Sequence, residues 1–213
     1  MVALTTTPSR GELQTSTTLV VSRVTTRTNT TELDVRLLFP NGTAPNFGDL
    51  YAGSFEGNRV DGRYVFDNMT PGLYELNFTG VTGIYFPSAS VKVTTGLNTL
   101  NVTVYQLEVF NIVVTPGPEL NSSTPAPTIS VFNNTVVRFE IYNNTTLIQN
   151  LAVTSTLNNT NYSSILFDSL SNNVGAGGSA NDTFIVSKVG KFYYECLIGN
   201  DAKDGEYGEF LVV

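Results

Sequence analysis

Twelve asparagines stand two positions ahead of a serine or threonine, the spacing at which a side-chain amide nitrogen accepts an N-linked glycan. They are Asn29, Asn41, Asn68, Asn77, Asn101, Asn121, Asn133, Asn143, Asn144, Asn158, Asn161 and Asn181. A chain this rich in Asn, Ser and Thr would produce roughly four or five such triplets by chance, so composition accounts for only part of the set. Glycans are bulky and solubilising, so these sites are expected on exposed loops or outward strand faces of a chain that has passed through a secretory route.

Other chemistry has little to draw on. The chain has no histidine, which removes Ser-His-Asp and Cys-His arrangements, and it carries no phosphate-binding or dinucleotide-binding glycine fingerprint. Paired-carboxylate hydrolysis has only a few scattered acids to work with. The single cysteine, Cys196, cannot form an intramolecular disulfide and has no basic cluster nearby to stabilise a thiolate, so it reads as a small buried hydrophobe. Asp201, Asp204, Glu206 and Glu209 lie close in sequence and suit a hard cation such as calcium. The plainer account of the same residues is a solvated acidic turn. The expectation is a protein with no catalytic residue, no metal and no cofactor.

With a net charge of −7 and only 14% charged residues, the chain has no basic stripe for nucleic acid. Solubility must come from hydroxyls, amides and sugars, a surface suited to acidic or hot surroundings. The opening Met1-Val-Ala-Leu-Thr-Thr-Thr has neither a basic stretch nor a long apolar run, and no segment approaches a membrane span. The sequence is therefore read as a mature chain without a membrane span.

The elements that must carry these residues alternate with period two and are rich in Val, Ile, Thr, Tyr and Phe, which predicts an all-β protein. Strands are expected at 13–27, 31–39, 50–55, 63–67, 73–78, 88–95 and 99–114, with turns at Pro40-Asn-Gly, Asp61-Gly and Pro71-Gly. Four prolines between 115 and 128 cannot join a central ladder and predict a stiff linker. Further strands are expected at 129–132, 135–142, 146–156, 164–169, 183–187, 191–197 and 209–213. The division is an N-terminal donor segment 1–12, a β-sandwich 13–114, a linker 115–128 and a second β-sandwich 129–213. The fold expected is two tandem Greek-key-type sandwiches preceded by an extended strand.

The run Asp61-Gly-Arg-Tyr-Val-Phe-Asp-Asn-Met-Thr-Pro-Gly-Leu-Tyr-Glu-Leu76 resembles the small sandwiches of the carboxypeptidase regulatory-like or transthyretin-like type, with Tyr64 and Phe66 on one face and a type II turn at Pro71-Gly72. Farther on, Gly190-Lys-Phe-Tyr-Tyr-Glu-Cys196 and Gly205-Glu-Tyr-Gly-Glu-Phe-Leu-Val-Val213 resemble the closing strands of the cupredoxins. That likeness implies a copper held by two imidazoles, a thiolate and an axial thioether. Here Gln149 stands before Asn150-Leu151 at the first imidazole position, Asp201 at the second and Glu206 at the axial one, so only the thiolate of Cys196 survives. A type 1 copper site is not expected from such a set.

The leading segment Met1, Val2, Ala3, Leu4, Thr5, Thr6 and Thr7 is β-prone, and Pro8-Ser-Arg-Gly11 detaches it from the long strand expected to begin at Leu13. Such a segment is held either by its own sheet edge or by a neighbour's, and donation to a neighbour generates an open head-to-tail fibre. Two β-domains, dense sequons, no disulfide and no site together resemble the subunits of archaeal thread filaments. The resemblance implies a glycosylated homopolymer at the cell surface, serving adhesion or cell-cell contact. The competing reading is a monomeric surface module that binds carbohydrate or protein through its loops.

Overall fold

The computed structural model describes residues 30–117, 119–157, 162–198 and 204–213. Among these, seventeen strands are found, with a 3-10 turn at Tyr162–Ser164. The all-β expectation holds.

Eight strands build the first sandwich. β1 (Glu32–Leu38), β4 (Asn58–Val60), β5 (Arg63–Phe66) and β9 (Leu97–Thr103) form one sheet in the order β4-β5-β1-β9. The opposite sheet has the order β3-β2-β6-β8, with β2 (Asp49–Ala52), β3 (Phe55–Glu56), β6 (Gly72–Thr79) and β8 (Ala89–Val93). Alternation in β1 explains the packing: Leu33, Val35 and Leu37 point inward and are fully buried, while the outward Asp34 accepts from Arg63 at 2.8 Å. Tyr64 and Phe66 join them in the core, as their shared face requires. Asp61 and Gly62, with φ of 49° and 75°, make the two-residue turn of the β4–β5 hairpin. The expected type II turn at Pro71-Gly72 is absent. Gly72 opens β6 opposite Val93, and the left-handed residue of that connection is Asn68, with φ of 56°.

The second sandwich begins earlier than its sequence suggests. The run expected as one strand over 99–114 breaks at the buried Val104 into β9 and β10 (Tyr105–Thr115). β7 (Ile84–Tyr85) reaches over from the first sandwich to pair with Tyr105 and Gln106. From Leu107 to Val114, β10 lies parallel to β13 (Val136–Asn143), and Ile112 and Val114 belong to the second core.

The proline-rich stretch 115–128 is therefore no linker. It turns at Pro116-Gly117, returns as β11 (Glu119–Leu120) along β10, and leads into β12 (Ala126–Val131), burying Leu120 and Ala126. Proline is excluded from central ladders but tolerated in turns and on edges, where Pro116 and Pro127 sit. The sheets are β11-β10-β13-β15 and β12-β17-β16-β14, with β14 (Ala152–Thr154), β15 (Ser179–Ile185), β16 (Gly190–Glu195) and β17 (Tyr207–Val212). Tyr194 ties β16 to β12: its hydroxyl donates to the Pro127 carbonyl at 2.6 Å, and burial pushes its pKa up to about 12.

The strand expected over 146–156 is reduced to β14. Thr146, Leu147 and Ile148 form an exposed loop, held at its base by Asn143. The stretch 164–169 is a turn crossing the open side of β14, where Ser169 Oγ accepts from Val153 N–H at 2.7 Å and Ser171 Oγ from Leu151 N–H at 2.9 Å. The expected strand at 13–27 and the segment 1–12 lie outside the described residues.

Candidate functional site

Three loops meet at the end of the second sandwich farthest from the first. The loop after β13 brings Gln149 and Asn150, the end of β16 brings Cys196, and the approach to β17 brings Glu206; all four are 2–3% exposed. Gln149 is fixed by reciprocal backbone bonds with Val174, 2.9 and 2.7 Å long. Its Oε1 accepts the Cys196 thiol at 2.8 Å. Asn150 Oδ1 accepts from Leu197 N–H at 2.9 Å, and Cys196 N–H donates to the Glu206 carbonyl at 3.4 Å.

The structure thus brings together three of the four positions expected for a copper-binding family, and fills them with a thiol donating to an amide. Asp201 lies outside the described residues. A groove of about 500 Å³ opens beside the cluster, lined by Pro116, Gly117, Leu147, Gln149, Asp204 and Glu206. A thiol, two amides and a carboxylate supply one soft ligand and no imidazole, a poor set for copper.

Of the acids suited to calcium, Asp201 lies outside the described residues, Glu206 precedes β17, and Glu209, within it, accepts at Oε1 from Lys191 Nζ at 2.5 Å. Among the described residues no three His, Cys, Asp or Glu side chains come together.

Of the sequon asparagines, Asn41, Asn68, Asn77, Asn101, Asn133, Asn144 and Asn181 are exposed and Asn121 is half-buried, its Oδ1 accepting from Val113 N–H at 2.8 Å. Asn29, Asn158 and Asn161 lie outside the described residues. Asn143 is a correction. It is fully buried, and its Nδ2 donates to the carbonyls of Leu147 (2.7 Å), Val174 (2.8 Å) and Gly175 (3.2 Å). A sugar on that nitrogen would displace these bonds and has no room, so Asn143 is a loop anchor in the folded chain.

Two participants escape a reading by sequence. Asn150 is visible there only as part of a dipeptide. Glu195, fully buried, accepts the Thr154 hydroxyl at 2.5 Å, although alternation along β16 directs it away from the core.

No protein-family model and no curated protein matches the chain. Among solved structures it is similar to reduced auracyanin from Roseiflexus castenholzii, at 13% identity over 49% of this chain and 96% of that one, with a TM-score of 0.42. Auracyanin A of Chloroflexus aurantiacus, a blue copper protein, matches at 13% identity over 50% and 99%, with a TM-score of 0.41. A blue copper oxidase of Nitrosomonas europaea matches at 20% identity over 50% of this chain and 39% of that one, with a TM-score of 0.40. Half of the chain is thus similar to cupredoxin sandwiches. No helix among the described residues is long and apolar enough to cross a membrane.

Proposed function

We propose that the chain is a structural subunit of an extracellular, N-glycosylated filament, without catalytic activity, in which Met1–Thr7 of one copy adds as a strand to the next. The filament serves adhesion or cell-cell contact.

The observation that carries this reading is an interval on the outer edge of β10 that no described residue pairs. On the side away from β13, β7 pairs at Tyr105 and Gln106 and β11 at Val114 and Thr115. Leu107 N–H donates to the Gly83 carbonyl and Val113 N–H to Asn121 Oδ1, so odd-numbered residues face this side. Alternation then directs the N–H and C=O groups of Val109 and Asn111 into the interval, and both residues are exposed. An interval bounded by two short strands is what one extended segment fills. Glu108 faces inward beside it, and burial raises its carboxyl above the usual range. An inward carboxylate at an edge discourages indiscriminate pairing and favours a matched partner.

The two ends of β1 are held differently. Leu38, at the far end of β1, accepts from Val104 N–H at 2.9 Å, immediately before β10 enters the second sandwich. Thr31 and Glu32 are held at the opposite end, by Met69 and Gly96. The described chain therefore begins at Thr30, at the end of β1 roughly 20 Å from the junction.

Two variants test the proposal by electron microscopy of surface material. Deleting residues 1–7 should abolish fibres. Val109→Pro removes an N–H that faces this interval and spares those bonded to β13, so the protein should fold with an unchanged melting temperature and fail to polymerise. Normal fibres from both would remove strand donation at this edge from the mechanism, and a monomer in size-exclusion chromatography of native material would favour the surface binding module instead.

A further inference from the structure

Between the two sandwiches lies a groove of about 500 Å³, within the roughly 300–1,000 Å³ span of pockets that take a small multi-ring ligand. Phe39 and Asn41 line it from the first sandwich, Phe132 and Asn133 from the second, and Gln106 of β10 lies between. Two features mark it. None of its lining residues is charged, and it contains one sequon asparagine from each sandwich.

Both asparagines are exposed. Asn41 sits in a turn where Thr43 donates its backbone N–H (3.0 Å) and its hydroxyl (2.7 Å) to Asn41 Oδ1, while Nδ2 donates to no described residue. The same hydrogen-bonded turn occurs at the buried Asn143, where Nδ2 is fully engaged. Asn133 is held by its backbone alone, donating to the Val213 carbonyl at 2.8 Å. Next to it Phe132 is 66% exposed, an unusual position for a phenylalanine. An aromatic face with its negative quadrupole takes the C–H face of a neutral sugar ring, as it takes other weakly positive edges.

We infer that the N-glycans on Asn41 and Asn133 fold into this groove, stack on Phe132 and brace the two sandwiches against each other. The inference rests on the glycosylated-surface half of the proposed function and is independent of strand donation. Attachment forms a bond from Nδ2 to the anomeric carbon of an activated glycosyl phosphate donor, and the departing phosphate takes up the proton that the nitrogen releases. A neutral oligosaccharide then meets amides, hydroxyls and two aromatic rings, and no charge has to be desolvated. Because the two attachment points lie on different sandwiches, sugars packed between them resist bending at Val104, where β9 ends and β10 begins.

The test is hydroxyl-radical footprinting of protein purified with its own glycans, after glycopeptide mass spectrometry has mapped positions 41 and 133. Phe132 should be oxidised severalfold faster in the Asn41→Gln/Asn133→Gln double variant than in the glycosylated protein, while Phe47, 57% exposed and outside this groove, stays unchanged. Thr43→Ala with Thr135→Val removes the same sugars by a different route and should give the same result. Positions 41 and 133 both without sugar, or both glycosylated with Phe132 equally reactive in all proteins, would overturn the inference. Fibre formation by the same variants is scored separately, so failure of strand donation and failure of the glycan brace give different results.

Discussion

The two sandwiches differ in what they bury. The first encloses an apolar core around Leu33, Leu37, Leu50 and Phe66, and its buried tyrosine, Tyr64, is satisfied by one bond to the Gly48 carbonyl at 2.8 Å. The second has an aromatic centre and, at its far end, buries Asn143, Gln149, Asn150, Ser169, Ser171, Glu195 and Glu206. Buried polar groups are costly unless hydrogen-bonded, and Asn143, Gln149, Asn150, Ser169, Ser171 and Glu195 each bond another side chain or loop backbone. Amides, hydroxyls and a thiol knit the loops together at this end. The first core thus rests on apolar packing, and the far end of the second on hydrogen bonds between side chains and loop backbone.

The comparison is broken most directly at the aromatic centre. Phe139 is fully buried, with ring centroids of Phe184 at 5.3 Å, Tyr194 at 6.0 Å, Phe210 at 6.1 Å and Phe110 at 6.3 Å. Phe139→Ala should cost about 3–5 kcal/mol, as should Phe66→Ala in the first sandwich. If the cores are separate, calorimetry will show each substitution lowering a different transition. A single transition shifted equally by both would merge the cores into one unit.

A smaller effect is expected at the polar end. Thr154→Val keeps the shape of the side chain and removes the donor to Glu195 Oε1, leaving a buried carboxylate short of one hydrogen bond. The expected cost is about 1–3 kcal/mol in urea denaturation, with Thr154→Ser recovering most of it. A neutral Thr154→Val would contradict a structural role for the polar end.

How much of this was legible depends on what each residue answers to. Strand identity reflects local alternation, so β1, β5 and β13 were readable, as was the Asp61-Gly62 turn. The boundary between sandwiches was not, because β9 and β10 form one apolar run and the chain changes sandwich at Val104 without a turn signal. The prolines misled because their missing N–H excludes central ladders but says nothing about edges. At the candidate site, Gln149, Cys196 and Glu206 could be placed from the resemblance. The burial of Asn143 could not: its partners Val174 and Gly175 arrive from more than thirty residues away.

The smallest effect concerns the edge strand β15. Asp182 points toward the core opposite Phe139, has Oδ2 buried without a partner, and its pKa is raised to about 6, chiefly by burial. The charged residues of the adjoining strand, Arg138 and Glu140, lie on the opposite face of β13 and do not compensate it. In the unfolded chain the carboxyl returns to about 3.9, so between about pH 4 and pH 6 the folded state holds a proton that the unfolded state has lost. Stability must therefore fall as pH rises through that window and continue falling until the folded-state carboxyl is ionised, then level off. The full shift overstates the effect for a half-exposed group, and about 1–2 kcal/mol is expected after solvent screening. Asp182→Asn should flatten the profile and bring stability at neutral pH up to the acid value, because an uncharged amide at the same place carries no ionisation penalty. The first sandwich has no inward carboxylate among its described core residues, so its transition should move less over the same range. A chain more stable in acid than at neutrality would fit the sparsely charged surface, and an Asp182→Asn profile as steep as that of the native chain would assign the pH dependence to another group.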